Sequence, residues 1–229
     1  MKILVIAAHP DDEVLGCGGT IAREKKEGAT IQTIILTRGI EARYKKITSE
    51  VEKQITQVYE NALEANRILG MSDKDITFLD HPNSSLNTIP WIKLRQELSE
   101  IVQQYQPDVV YTHHYGDYNP DHRITFEQVV FACRPCKGEH YPKEIYSFEV
   151  LSSTEWAYQN KDSFKPISFV DIKNTMQVKK DALAAYKTEL RDYPHPRSIR
   201  GLEVLAAKRG MEVNLEFAEA FEVIRMVKT

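Results

Sequence analysis

The sequence predicts an α/β fold: a mostly parallel sheet with helices on both faces and a C-terminal cap. Three observations carry this. Apolar runs of strand length alternate along the chain with stretches of helical period. The opening run, KILVIAA, is continuously apolar, as a strand covered on both faces requires. Two segments dense in His and Asp, HPDDE and THHYGDYNPDHR, each follow directly on such a run. In sheets of this kind ligands sit beyond the carboxyl ends of the strands, near a switch in strand order, so the two segments are expected to meet on one rim.

KILVIAA leads into a helix over Val14–Lys26, with Gly28 as its stop. IQTIILT is the second strand. A long helix spans Ser49–Leu69, with Val51, Ile55, Val58, Ala62, Ala65 and Leu69 on one face and Gly70 behind it. DITFLD is the third strand. Pro90–Tyr105 is a helix with Ile92, Leu94, Leu98, Ile101 and Val102 as its apolar stripe. DVVYTHH is the fourth strand, and Asp121–Cys133 is another helix. EIYSFEVL and ISFVDI read as further strands. Asn174–Arg191 is a helix with Met176, Val178, Leu183, Ala184 and Tyr186 facing inward. A basic loop, a short helix near Glu203–Gly210 and a final strand, EAFEVIRM, complete the pattern. A single domain over residues 1–229 is expected: an α/β core over 1–135, with 136–229 appended to complete the cleft.

Composition narrows the function. The 229 residues are 42% hydrophobic and 28% charged, with a formal net charge of -3, which argues against a nucleic-acid partner. No apolar stretch approaches the ~20 residues that span a bilayer, so no membrane insertion is expected. The short apolar run after Lys2 gives way to HPDDE with no cleavage pattern, and a cytoplasmic protein is expected. Cys17, Cys133 and Cys136 are read as reduced thiols, since C-R-P-C lacks the second cysteine pair of a zinc site.

The chemistry lies in the two rim segments. His9 and Asp12 are three residues apart across a turn containing Pro10, a spacing that lets an imidazole nitrogen and a carboxylate oxygen converge on one cation. His122, at the start of the helix after strand four, supplies a third ligand. Two His and one carboxylate with an open position is the layout of a catalytic zinc site, and another divalent cation would suit the same donors. Asp11 flanks a ligand; from there a carboxylate can take a proton from bound water and pass it to a leaving group. The competing reading of Asp11, Asp12 and Glu13 is helix capping. Three acids and His9 exceed what a cap needs, and NPDHR on the matching rim favours a metal. GCGGT lacks the full spacing of a dinucleotide-binding loop, and the acids before it would repel a pyrophosphate.

AHPDDEVLGCGGT and DYNPDHR resemble the two signature segments of the PIG-L/LmbE-like zinc-dependent N-deacetylases. The resemblance covers about the first 135 residues well and the rest more loosely. It implies a Rossmann-like α/β fold and hydrolysis of the acetamide of N-acetylglucosamine units. It places the zinc ligands on His9, Asp12 and His122, the general base on Asp11, and an orienting aspartate on Asp121. Many members carry a His two residues before that aspartate, where it assists charge stabilisation. This chain has Asn119 there, which donates a hydrogen bond but carries no proton. His195, between Pro194 and Pro196, is the candidate for the missing imidazole. Family members place a substrate-contacting Arg near TRGIEARY, and Arg43 is the candidate, with Arg134 and Arg197 behind it. Asp117 is read as steadying a ligand or binding a sugar hydroxyl, and Trp156 with Tyr158 as stacking on a sugar face.

The expected activity is removal of acetyl from an N-acetylated amino sugar, giving acetate and a free amine. The alternatives are a deacetylase of N-acetylglucosaminyl malate in thiol synthesis and a non-catalytic sugar- or nucleotide-binding module. Oligomers are common in the family, so the resemblance also implies a homo-oligomer.

Overall fold

Residues 1–157 and 163–228 are described by the computed structural model. Seven strands form one sheet: β1 (Lys2–Ala7), β2 (Thr30–Thr37), β3 (Ile76–His81), β4 (Val109–His113), β5 (Glu144–Phe148), β6 (Ser168–Asp171) and β7 (Ala218–Met226). Their order is β3-β2-β1-β4-β5-β7-β6. The first five are parallel, and β7 runs antiparallel to both β5 and β6. β1 is central and wholly buried beyond Lys2, hence its unbroken apolar run. The order reverses between β1 and β4, so the chain leaving β1 and the chain leaving β4 diverge from one crevice.

Helices cover both faces. On one face α1 (Asp12–Lys26), α2 (Ser49–Ile68), α5 (Met176–Ala185) and α6 (Ile199–Met211) bury Leu15, Ile21, Ala62, Ala65, Leu183 and Leu202 against the sheet. On the other, α3 (Trp91–Tyr105) and α4 (Pro120–Ala132) bury Leu94, Leu98, Val102 and Val129. Among the described residues no helix is long and apolar enough to cross a membrane. Cys17 and Cys133 are buried free thiols and Cys136 is exposed.

The GCGG run serves packing. A Cβ on Gly16 would lie 2.3 Å from the ring of Phe148, and one on Gly19 would lie 2.9 Å from Ile172. Helix α1 breaks between them, at Cys17 (φ -145°, ψ 22°). The freed backbone groups find partners far away in sequence. Lys179 Nζ donates to Leu15 O at 2.9 Å and to Glu219 Oε1 at 2.5 Å. Gly19 N and Thr20 N donate to the Glu219 carboxylate at 2.8 and 2.7 Å. Both side chains are buried, so this ion pair stands where the sequence pattern expected only apolar contact.

Three helices differ from expectation by more than one residue at an end, and β5 stops at Phe148, short of the expected Leu151. The helix expected to run to Arg191 ends at Ala185: Tyr186 leaves it with ψ 60°, and its hydroxyl donates to Glu13 Oε1 at 2.5 Å. On that helix Ala184 is exposed and Lys179 points inward. Helix α6 starts four residues earlier than expected, because Ser198 caps it by accepting from Gly201 N at 2.9 Å. Helix α1 starts two residues earlier, at Asp12.

Candidate functional site

Three donors converge at the crevice. His9 Nδ1 lies 3.1 Å from Asp12 Oδ2 and 3.1 Å from His122 Nε2, and His122 Nε2 lies 3.2 Å from Asp12 Oδ2. Tetrahedral ligands about 2.0–2.1 Å from zinc stand roughly 3.3 Å apart, so the triangle has the right edge for one ion. Asp12 Oδ1 is buried with no hydrogen-bond partner among the described residues. The donor set and this orphaned atom fit a divalent cation. Burial opposes ionisation of Asp12, but the imidazoles of His122 and His113 outweigh it and hold its carboxyl well below the usual range. Burial also disfavours the charged His122, yet Asp12 and Asp117 push it up to about 10, so a proton competes with a cation for its Nε2.

Carboxylates behind the imidazoles fix their orientation. Asp121 Oδ2 lies 3.2 Å from His9 Nε2. The same carboxylate accepts from Ser84 N at 2.6 Å and Leu86 N at 3.1 Å, which ties the loop after β3 to the site. Asp117 Oδ1 lies 3.2 Å from His122 Nδ1, within ion-pair range, although the N–H is not aimed squarely at it. Burial would raise Asp117, but His122 and the Ser153 and Thr154 hydroxyls hold it below the usual carboxylate range. His113 stacks on His122 with ring centres 3.9 Å apart and accepts from Ala8 N at 2.8 Å. Burial and the neighbouring His122 drive its pKa well down, so it is a neutral spacer.

Asp11 sits beside the triangle as the N-cap of α1, in a left-handed conformation (φ 106°) that non-glycine residues seldom adopt. Its N–H donates to Glu13 Oε2 at 3.1 Å. Glu13 turns away from the site and also accepts from Asn66 and Tyr186, so it braces the turn. The three consecutive acids thus have three separate places: beside the ligands, among them, and behind them. Burial raises Asp11 to about 7, against the opposing charge of Arg197, whose Nη1 lies 3.2 Å from Asp11 Oδ2. A cavity of about 280 Å³ opens here, lined by His9, Asp11, Arg43, Ser84, Asn119, Glu189 and Arg197 among others.

The remaining sequence candidates divide. Asn119 lines the cavity, and its Oδ1 caps α4 by accepting from Asp121 N at 2.9 Å. Arg43 lines it too, half exposed, with Nη2 on Glu189 Oε2 at 2.6 Å. Asp117 is fully buried behind His122 and outside the cavity lining, where it stands beside a candidate ligand. His195 is exposed and outside the lining; its Nδ1 accepts from Arg197 N at 3.1 Å. Trp156 is 69% exposed and also outside the lining, and Tyr158 falls outside the described residues. Two cavity residues were not singled out strongly from sequence. Arg197 was a secondary candidate, two residues after His195 in the same proline-flanked turn. Glu189 gave no signal, because a lone Glu in an expected helix reads as a solvated face.

The fold and site define an α/β protein with a candidate cation centre at the switch point of its sheet. A family described as PIG-L, GlcNAc-PI de-N-acetylase, matches residues 4–133. The chain belongs to this family. It is 28% identical over 167 residues to a 1D-myo-inositol 2-acetamido-2-deoxy-α-D-glucopyranoside deacetylase of Thermomonospora curvata, covering 62% of this chain but only 56% of that protein. It is 27% identical over 201 residues to the diacetylchitobiose deacetylase of Thermococcus kodakarensis, covering 82% of this chain and 70% of that protein. The crystal structure of the conserved protein TT1542 from Thermus thermophilus superimposes with a TM-score of 0.73 at 26% identity, over 99% of this chain and 96% of that one. The 4-carboxy-2-hydroxymuconate hydratase GalB of Pseudomonas putida shares the fold, with a TM-score of 0.78 at 22% identity over 100% and 98% of the two chains.

Proposed function

We propose that this protein is a metal-dependent amidohydrolase that removes the acetyl group from an N-acetylated 2-amino sugar. The observation that carries the reading is the convergence of His9, Asp12 and His122 on one point beside a second buried acid, Asp11, at the wall of an open cavity. Both curated relatives described above are named for deacetylation of an acetamido-glucose conjugate or an N-acetylated chitobiose, which supports an acetamido sugar as substrate. The shared hydratase fold shows that the sheet alone does not fix the reaction.

His9, Asp12 and His122 would hold the ion, and zinc suits their donor set. When bound, the ion supplies a Lewis acid that polarises the acetyl carbonyl and acidifies water. Asp121 and Asp117 keep the two imidazoles aimed. Asp11 takes one proton from the attacking water as the new C–O bond forms. As the C–N bond breaks, it returns that proton to the departing amine, leaving a free amino sugar and acetic acid, whose remaining hydroxyl proton passes to solvent or the amine to give acetate. Zinc as the ion and association between copies belong to the same proposal and rest on the sequence resemblance; a cytoplasmic location belongs to it as the separate expectation from the sequence.

The test is acetate release from N-acetylglucosamine, its chitobiose and its malate conjugate, with zinc and with chelator. Release with zinc and its loss with chelator are expected; Asp11→Asn should keep the metal and lose about 10²–10⁴-fold in turnover. No release from any acetamido sugar by metal-replete protein would overturn the reading, and sugar binding indifferent to chelator would mark a binding module instead.

A further inference from the structure

We infer that Arg197 is a catalytic residue whose guanidinium receives the negative charge that develops on the acetyl oxygen. The inference rests on the proposed amide hydrolysis and names a group that reading leaves unassigned. Attack of water on the acetyl carbon pushes the C=O electron pair onto oxygen, and that charge needs donors fixed in advance.

Of the candidates expected from sequence, His195 is exposed with Nδ1 on the Arg197 backbone, and Asn119, whose Oδ1 caps α4, can offer only an uncharged amide donor. Besides the ligand His9, the basic side chains lining the cavity are Arg43 and Arg197. Arg43 is half exposed and held by Glu189 at 2.6 Å. Arg197 is deeper, with 23% of its side chain exposed, and its nearest carboxylate is the proposed base, Asp11, at 3.2 Å. Glu189 stands farther off, 4.0 Å from Nη1, and Nε reaches Leu151 O at 3.5 Å. Among the described residues Nη2 donates to nothing. One arm of the fork therefore steadies the base while the other is left to a ligand in the cavity. A guanidinium stays charged at any working pH, so it stabilises charge without moving a proton, and proton transfer is left to Asp11.

The test compares wild type, Arg197→Gln and Arg197→Lys, each loaded with zinc. Arg197→Gln should lose about 10²–10³-fold in kcat with KM within about threefold. Arg197→Lys, which keeps the charge and loses the fork, should recover part of that loss. A methylphosphonamidate of glucosamine, a stable tetrahedral anion, should bind Arg197→Gln more weakly by the same factor as kcat/KM falls. Binding of the free amine product should be unchanged, and zinc content should match wild type. A kcat within threefold of wild type, or equal weakening of phosphonamidate and amine, overturns the role of Arg197 while leaving the deacetylase reading intact. Wild type that releases no acetate overturns both.

Discussion

Replacing Lys179 by methionine tests what holds the break in α1. The methionine keeps most of the aliphatic stem and removes the ammonium. Glu219 is then left buried without its cation, and Leu15 O loses its donor. Removing one partner of a buried ion pair costs about 3–5 kcal/mol, mostly as the penalty of the stranded charge. With 229 residues and an unfolding entropy of about 2.1 cal/mol/K per residue, the melting temperature should fall by roughly 6–10 °C. Differential scanning calorimetry reads this directly. Lys179→Met combined with Glu219→Gln should recover most of the loss, since the amide carbonyl can still accept from Gly19 N or Thr20 N and no charge remains buried. The coupling between the two positions should be about 1–3 kcal/mol. A single variant melting within about 2 °C of wild type, or a double variant no better than the single, would refute the claim that this pair stabilises the kink.

Asp117→Asn should weaken zinc binding about 10–100-fold in a competition titration, because His122 loses the charge that orients it; unchanged affinity would refute that role. Gly16→Ala should cost about 1–3 kcal/mol, since the new methyl has to displace the Phe148 ring, and an unshifted melting curve would show the contact to be loose. Zinc at 100 times its dissociation constant should stabilise the fold by about 2.7 kcal/mol, roughly 5–6 °C, and His122→Ala should abolish the shift. Zinc affinity should rise with pH through the neutral range, because the cation displaces a proton from His122, which is pushed up to about 10; affinity independent of pH would contradict that exchange.

The fold was legible because β1 is buried on both faces and says so in an unbroken apolar run, and because strand-length runs alternate with helical periods along the rest of the chain. The candidate triangle of donors was legible because His9 and Asp12 are close in sequence and His122 follows a recognisable strand. What stayed hidden depends on long-range partners. The left-handed turn at Asp11, the broken helix at Cys17 and the short α5 each have a partner side chain more than a hundred residues away, respectively Arg197, Glu219 and Glu13. No local period encodes such pairings. His195 and Arg197 illustrate the limit: a stiff turn announces that something is held, while only the folded chain decides which of two neighbouring side chains enters the cavity.

The carboxylate of Glu219 reaches back 200 positions to grip the amide of Gly19, and that of Thr20 beside it. A fragment of this chain ending ahead of β7 would still contain every proposed ligand, yet the first helix would lack the acceptor that sets its bend. The candidate ligands of the amino-terminal half thus depend for their bracing on a strand that is made last, and the pocket is complete only when β7 lies beside β5.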